Sequence, residues 1–158
     1  MSPAFNFYTK GLIIMWKFTA EYEDWNGVHK KRELLFNMTT AEMMSLQNSV
    51  RGGIETYYRR ILEENDNVAL YNRFEELVKL TYGVKSDDGE RFIKNEDVYN
   101  AFKESAAYDV FMQYLLMTED GATKFISGIM PAQLKAKLNS PEGKKIAEEY
   151  GINVSSIK

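Results

Sequence analysis

His29 is the only imidazole this chain could use for acid–base work or metal binding. It sits between Val28 and the cationic run Lys30-Lys31-Arg32, on a segment patterned as a strand. A general base or ligand needs oriented partners, and nothing in the spacing supplies them, so His29 reads as a solvated strand residue. Carboxylates are plentiful, but none is spaced with the histidine to make a metal site of ordinary type. Cysteine is absent, which removes thiol nucleophiles, thiolate ligands and disulfides. The loop Ser86-Asp87-Asp88-Gly89-Glu90 gathers oxygens around a glycine, a setting that hard cations favour. It lacks the distal acid of a calcium loop, and Asp-Gly is a good turn in its own right: Asp88 can bond local amides and Gly89 can take positive φ. The run Lys30-Lys31-Arg32 is short and has no interleaved aromatic to stack a base. Gly52-Gly53 lacks the lysine and hydroxyl residue of a phosphate loop, so it reads as a connector. Carboxylate catalysis would require an acid of raised pKa in a cleft, and no spacing here announces one. The reactive residue types point away from an enzyme and imply no cofactor and no metal.

Composition narrows the class further. A chain of 158 residues, 44% hydrophobic and 27% charged, fits one soluble globular domain with a real core. The net charge of -3 and pI near 5.3 argue against a nucleic-acid partner, which would call for a dominant basic face. Residues 1–14 are apolar and aromatic with a single charge, Lys10. Gly11-Leu12-Ile13-Ile14-Met15 is too short to span a membrane, and no basic leader precedes it. Residues 1–14 are expected to be an extension, either loose or pairing with another segment, and residues 15–158 a single domain. The absence of cysteine fits a reducing cytoplasm.

The elements that must position these residues follow from periodicity. Trp16 to Tyr22 alternates, with Trp16, Phe18, Ala20 and Tyr22 on one side and Lys17, Thr19 and Glu21 on the other, as in a half-buried strand. Asn26-Gly27 marks a tight turn because both residues tolerate positive φ, and Val28 to Phe36 returns as the second strand. Such a hairpin, about 16–36, must pack on helices or join strands of another subunit. Thr39-Thr40-Ala41-Glu42 is a capping box that opens a helix running to about Arg51-Gly52-Gly53. Helices are expected over Ile54–Glu64 and Val68–Thr81, with Asn65-Asp66-Asn67 between them. The stretch from Tyr82 to Lys94 reads as a turn-rich connector in which Arg91 and Lys94 pair with acids and Phe92 anchors the loop to helices. Asn95 caps the next helix; Ser105–Met117 and Gly121–Ile129 follow, and two more are read after Pro131 and Ser140. The fold class is α+β, mostly α: an N-terminal hairpin followed by a compact bundle of about six to seven helices. Met38, Met112, Met117 and Met130 read as core. Met43 and Met44 are the methionines suited to a surface that accepts varied apolar partners.

Three groups of residues, in order, carry a resemblance. Trp16-Lys17-Phe18-Thr19-Ala20-Glu21-Tyr22 with Asn26-Gly27-Val28 leads to Phe36-Asn37-Met38-Thr39-Thr40-Ala41-Glu42. Tyr82-Gly83 is then followed by Lys85-Ser86, Asp88-Gly89, Arg91-Phe92 and Lys94. Phe102, Ala106-Ala107-Tyr108 and Phe111 precede Phe125-Ile126-Ser127-Gly128-Ile129-Met130-Pro131. Over residues 16–135 this set resembles the tail assembly chaperones of long-tailed bacteriophages. The resemblance implies a non-enzymatic protein of the host bacterial cytoplasm, absent from the finished virion. Its implied partners are the tape measure protein, which it keeps soluble, and the major tail tube protein, whose subunits it helps recruit. It also implies a homo-oligomer as a possible state, with no nucleic acid and no membrane as partner. The expected client surface is apolar and involves Tyr57, Tyr58, Tyr108, Phe111, Met112, Phe125 and Ile129. The alternative reading is a permanent tail subunit, such as a completion or connector protein.

Overall fold

The computed structural model describes residues 15–129. Strands β1 (Trp16–Glu23) and β2 (His29–Phe36) form the hairpin, in a register that sets Trp16 opposite Phe36 and Glu23 opposite His29. Alternation along β1 turns Trp16, Phe18, Ala20 and Tyr22 toward the core and Lys17, Thr19, Glu21 and Glu23 toward water. The turn is wider than the Asn-Gly pair alone implies. Only Gly27 takes positive φ (77°), and Asn26 does not. Gly27 N–H donates to the Asp24 carbonyl at 2.9 Å, and Asp24 N–H donates to the Val28 carbonyl at 2.9 Å. The Asp24 carboxylate decides this geometry: it accepts from the amides of Asn26 (2.9 Å) and Val28 (3.0 Å) and pairs with Lys30 at 2.9 Å.

Helices α1 (Thr40–Ser49), α2 (Gly53–Leu62) and α3 (Asn67–Thr81) follow. Thr39 and Glu42 close the capping box, each side chain accepting from the other's amide at 3.1 and 2.9 Å. Asp66, at the break between α2 and α3, proves to be the α3 cap, accepting from Val68 and Ala69 amides at 2.8 and 3.0 Å. At Thr81 the chain passes directly into β3 (Tyr82–Lys85), which pairs with β2 through Leu35–Gly83 and Phe36–Tyr82. β4 (Phe92–Ile93) turns back on β3, giving an antiparallel sheet in the order β1-β2-β3-β4. The stretch 82–94, expected as a connector, is thus a second small hairpin. Strands this short show no alternation, and the partner segment Leu35–Phe36 is far upstream, so no local pattern announces them.

Then come α4 (Glu96–Lys103), capped by Asn95 through the Val98 amide at 2.8 Å, α5 (Ala106–Met117) and α6 (Gly121–Ile129). The described residues are α+β and mostly α. The helices read after Pro131 and Ser140 lie outside the described residues. Phe36 is the centre of the core. Its ring stacks on Phe111 at 4.6 Å and meets Phe125 at 5.3 Å, Tyr82 at 5.6 Å and Trp16 at 5.7 Å. Strands β1 and β2 are thereby clamped against α5 and α6. Each such ring stabilises the fold by about 1.5–3 kcal/mol through burial alone.

Candidate partner-binding surface

The seven residues named for an apolar client surface divide between core and surface. Phe111, Phe125 and Ile129 are sealed, and Tyr58, Met112 and Tyr108 are also buried. Tyr57 alone of the set is half-buried, its ring edge-on to Tyr58 at 5.8 Å. Burial pushes its hydroxyl up to about 12. A helical stripe of aromatics has the same period whether it faces a core or a partner, so spacing alone does not separate the two. The methionines divide as well. Met38 and Met112 are buried, Met43 is half-buried and Met44 is exposed. Met117, read as core, projects into solvent at 81% exposure. Met130 lies outside the described residues.

The stretch from Tyr82 to Lys94 is built for shape. Gly83 lies under the Phe92 ring, where a Cβ would come within 2.7 Å of Cε2 and 2.8 Å of the Ile93 carbonyl oxygen. Phe92 therefore anchors the hairpin on itself. At the tip, Ser86 N–H donates to the Arg91 carbonyl (2.8 Å), Ser86 Oγ to Asp88 Oδ1 (2.6 Å) and Glu90 N–H to the same oxygen (3.0 Å). Gly89 takes φ 76°, and the Ser86 hydroxyl and the Glu90 amide hold the Asp88 carboxyl below its usual range. The acidic loop is a structural turn. Lys85 leaves β3 exposed, and the Arg91 side chain forms no ion pair among the described residues. Lys94 does the pairing instead. Its Nζ donates to Glu42 Oε1 at 2.6 Å and to the Asn37 carbonyl at 2.5 Å. Burial draws its pKa down, and Glu42 opposes that shift. Tyr82 accepts from Arg32 at 2.8 Å while its ring stacks on Phe102 at 4.1 Å.

A second polar cluster had no sequence signal. Glu75 Oε2 accepts from Lys103 at 3.0 Å, Tyr71 at 3.1 Å and Tyr108 at 3.3 Å, and the two tyrosine hydroxyls are 3.0 Å apart. Lys103 above all, with both tyrosines, lowers the Glu75 pKa against the cost of burial. The Tyr99 hydroxyl is buried beside this group without a hydrogen-bond partner among the described residues. The carboxyl groups with a resolved shift, Asp24, Glu64, Glu75, Asp88 and Asp120, all move downward. They are anions at neutral pH that brace backbone and cations.

Among the described residues the exposed large apolar side chains are Trp25 and Val28 at the β1–β2 turn, Met44 on α1, Val68 at the start of α3, and Leu116 and Met117 at the end of α5. No side chain of α1 is fully buried: Met43 and Leu46 are half-covered and Met44 is 57% exposed. Tyr57 on α2 is half-covered, and Val68 at the start of α3 is exposed. Polar bonds, chiefly Lys94 to Glu42, hold α1 to the β3–β4 hairpin. Among the described residues no helix is long and apolar enough to cross a membrane. A braced aromatic core joining the hairpin to the last two helices defines a small α+β protein, mostly α. The chain belongs to the phage tail assembly chaperone family, whose model matches residues 15–156. It matches no curated protein and no solved structure.

Proposed function

We propose that this chaperone binds the tape measure protein, keeps it soluble while the tail is built, and helps recruit major tail tube subunits that later displace it. Family membership over residues 15–156 is the observation that carries this reading. The proposed client face is Tyr57 with Met43 and Met44. An amphipathic helix laid across α1 and α2 would cover those side chains. Tyr58 packs directly against Tyr57, and Tyr108, Phe111, Met112, Phe125 and Ile129 belong to the core. Half-covered thioethers and a tyrosine favour modest affinity per site, so many copies along a long client hold it by avidity and can still be shed. The work is done in the cytoplasm of the infected bacterium, and the protein leaves before the particle is complete. This reading calls on no bound cofactor.

Co-expression with the cognate tape measure protein tests the proposal. The client is expected in the soluble fraction and co-purifies with this chain. A Met44→Asp, Tyr57→Ser double variant is expected to lose most of that effect while staying folded. A client that precipitates to the same extent with and without the chain would overturn the reading.

A further inference from the structure

Strand β1 is eight residues long, contains no proline or glycine, and pairs without a bulge along its whole length with β2. Its other side has no strand among the described residues, whereas the opposite edge of the sheet is the two-residue β4. Long, regular edges of this kind are templates for strand addition unless something blocks them. We propose that β1 pairs with β1 of a second copy of this chain, antiparallel about a two-fold axis through Ala20. The inference is independent of the client reading.

Hydrogen-bond parity fixes which residues meet. The Asp24 amide bonds Val28, so in this register the even-numbered residues of β1 spend their peptide groups on β2. The peptide groups of Lys17, Thr19, Glu21 and Glu23 therefore point away from β2, along the free edge. A two-fold through Ala20 sets Lys17 opposite Glu23 and Thr19 opposite Glu21 of the other copy, each as a hydrogen-bonded pair. On the core-facing side Phe18 meets Tyr22, and Ala20, the smallest side chain of the strand, meets itself. Shifting the axis by one residue toward the C-terminus would set Glu21 against Glu21. Shifting it by one toward the N-terminus would set Trp16 against Tyr22 and Lys17 against Glu21, put Phe18 against Ala20, and leave Glu23 opposite Met15 with no cation across from it. The charges are available for this: Lys17 is exposed and only 4.0 Å from Glu33, a loose contact. Opposite charges placed directly across strands favour pairing, and like charges disfavour it. The edge thus rejects a partner strand of one sign and accepts its own mixed sequence.

Light scattering on the full chain across a concentration series tests this. A concentration-dependent dimer is expected. Lys17→Glu sets like charges at both symmetry-related contacts and should weaken association by about tenfold or more. Adding Glu23→Lys to that variant restores opposite signs and should recover most of the loss. Thr19→Pro removes one outward amide, leaves the β1–β2 bonds in place, and should abolish the dimer with the circular dichroism unchanged. A wild-type chain that stays monomeric throughout, or a Lys17→Glu, Glu23→Lys chain no stronger than Lys17→Glu alone, overturns the proposal. So does a dimer that forms only when residues 1–14 are removed, since the chain's own leader would then be the occupant of the edge. If Thr19→Pro does not fold, the charge-reversal pair decides the outcome.

Discussion

Three donors converge on one oxygen of Glu75: Lys103 from α4, Tyr108 from α5 and Tyr71 from its own helix. A carboxyl group held below its ordinary value of 4.5 binds fewer protons folded than unfolded, so its stabilisation is complete above that value. It is lost as pH falls through the folded pKa. Glu75→Gln should therefore lower stability by about 1–2 kcal/mol at pH 7 through weakened bonds to charged and hydroxyl donors. It should also flatten the fall in stability as pH drops below the ordinary carboxyl value of 4.5, which denaturant titration at a series of pH values reads directly. Gly128 gives a second test at this scale. A Cβ there would run into the Trp16 indole, which is wedged edge-on to Phe125 at 5.4 Å. Gly128→Ala should cost about 1–3 kcal/mol in thermal or urea unfolding, as over-packing does in a rigid core. The motif residue is visible in the sequence, whereas its reason is not, because Trp16 stands at the other end of the described chain. Glu75 is hidden for the same cause: its partners are separated along the chain and meet only when α3, α4 and α5 pack.

Among the elements, the hairpin and the helix starts were legible because their signals are local. Thr39 with Glu42 and Asn95 each satisfy orphan amides within a few residues, whereas Asp66, read only as part of a break, shows its capping role in the structure. The β3–β4 hairpin was not, because it is held by β2 and by the fit of Phe92 over Gly83. Helix α1 shows how such long-range contacts matter. With no fully buried side chain, it depends on Lys94 reaching Glu42 and Asn37, so it belongs to the low-stability end of the molecule. Lys94→Met keeps the apolar stem and removes the charge. Hydrogen exchange in the α1 amides should rise by about tenfold, with β1, β2 and α5 unchanged. Uniform acceleration over the whole chain would instead assign Lys94 to global stability.

At the scale of the whole molecule, the ordered motif set pointed to the family that the match over residues 15–156 then showed. The proposed client face was less legible, since Tyr58, Phe111 and Phe125 carry the spacing of a partner stripe and serve as core. Tyr57 is the one residue of that set left partly exposed, and Met43 and Met44 join it in the proposal. Their limited area suits a contact that must later be released. Under the proposed function this chain acts during tail construction and is gone from the product. Quantitative mass analysis of purified phage particles tests it most directly. The chain should be missing while the tape measure and tube proteins are present in full; its recovery in a fixed ratio to the tail proteins would contradict the claim and mark it as a permanent subunit.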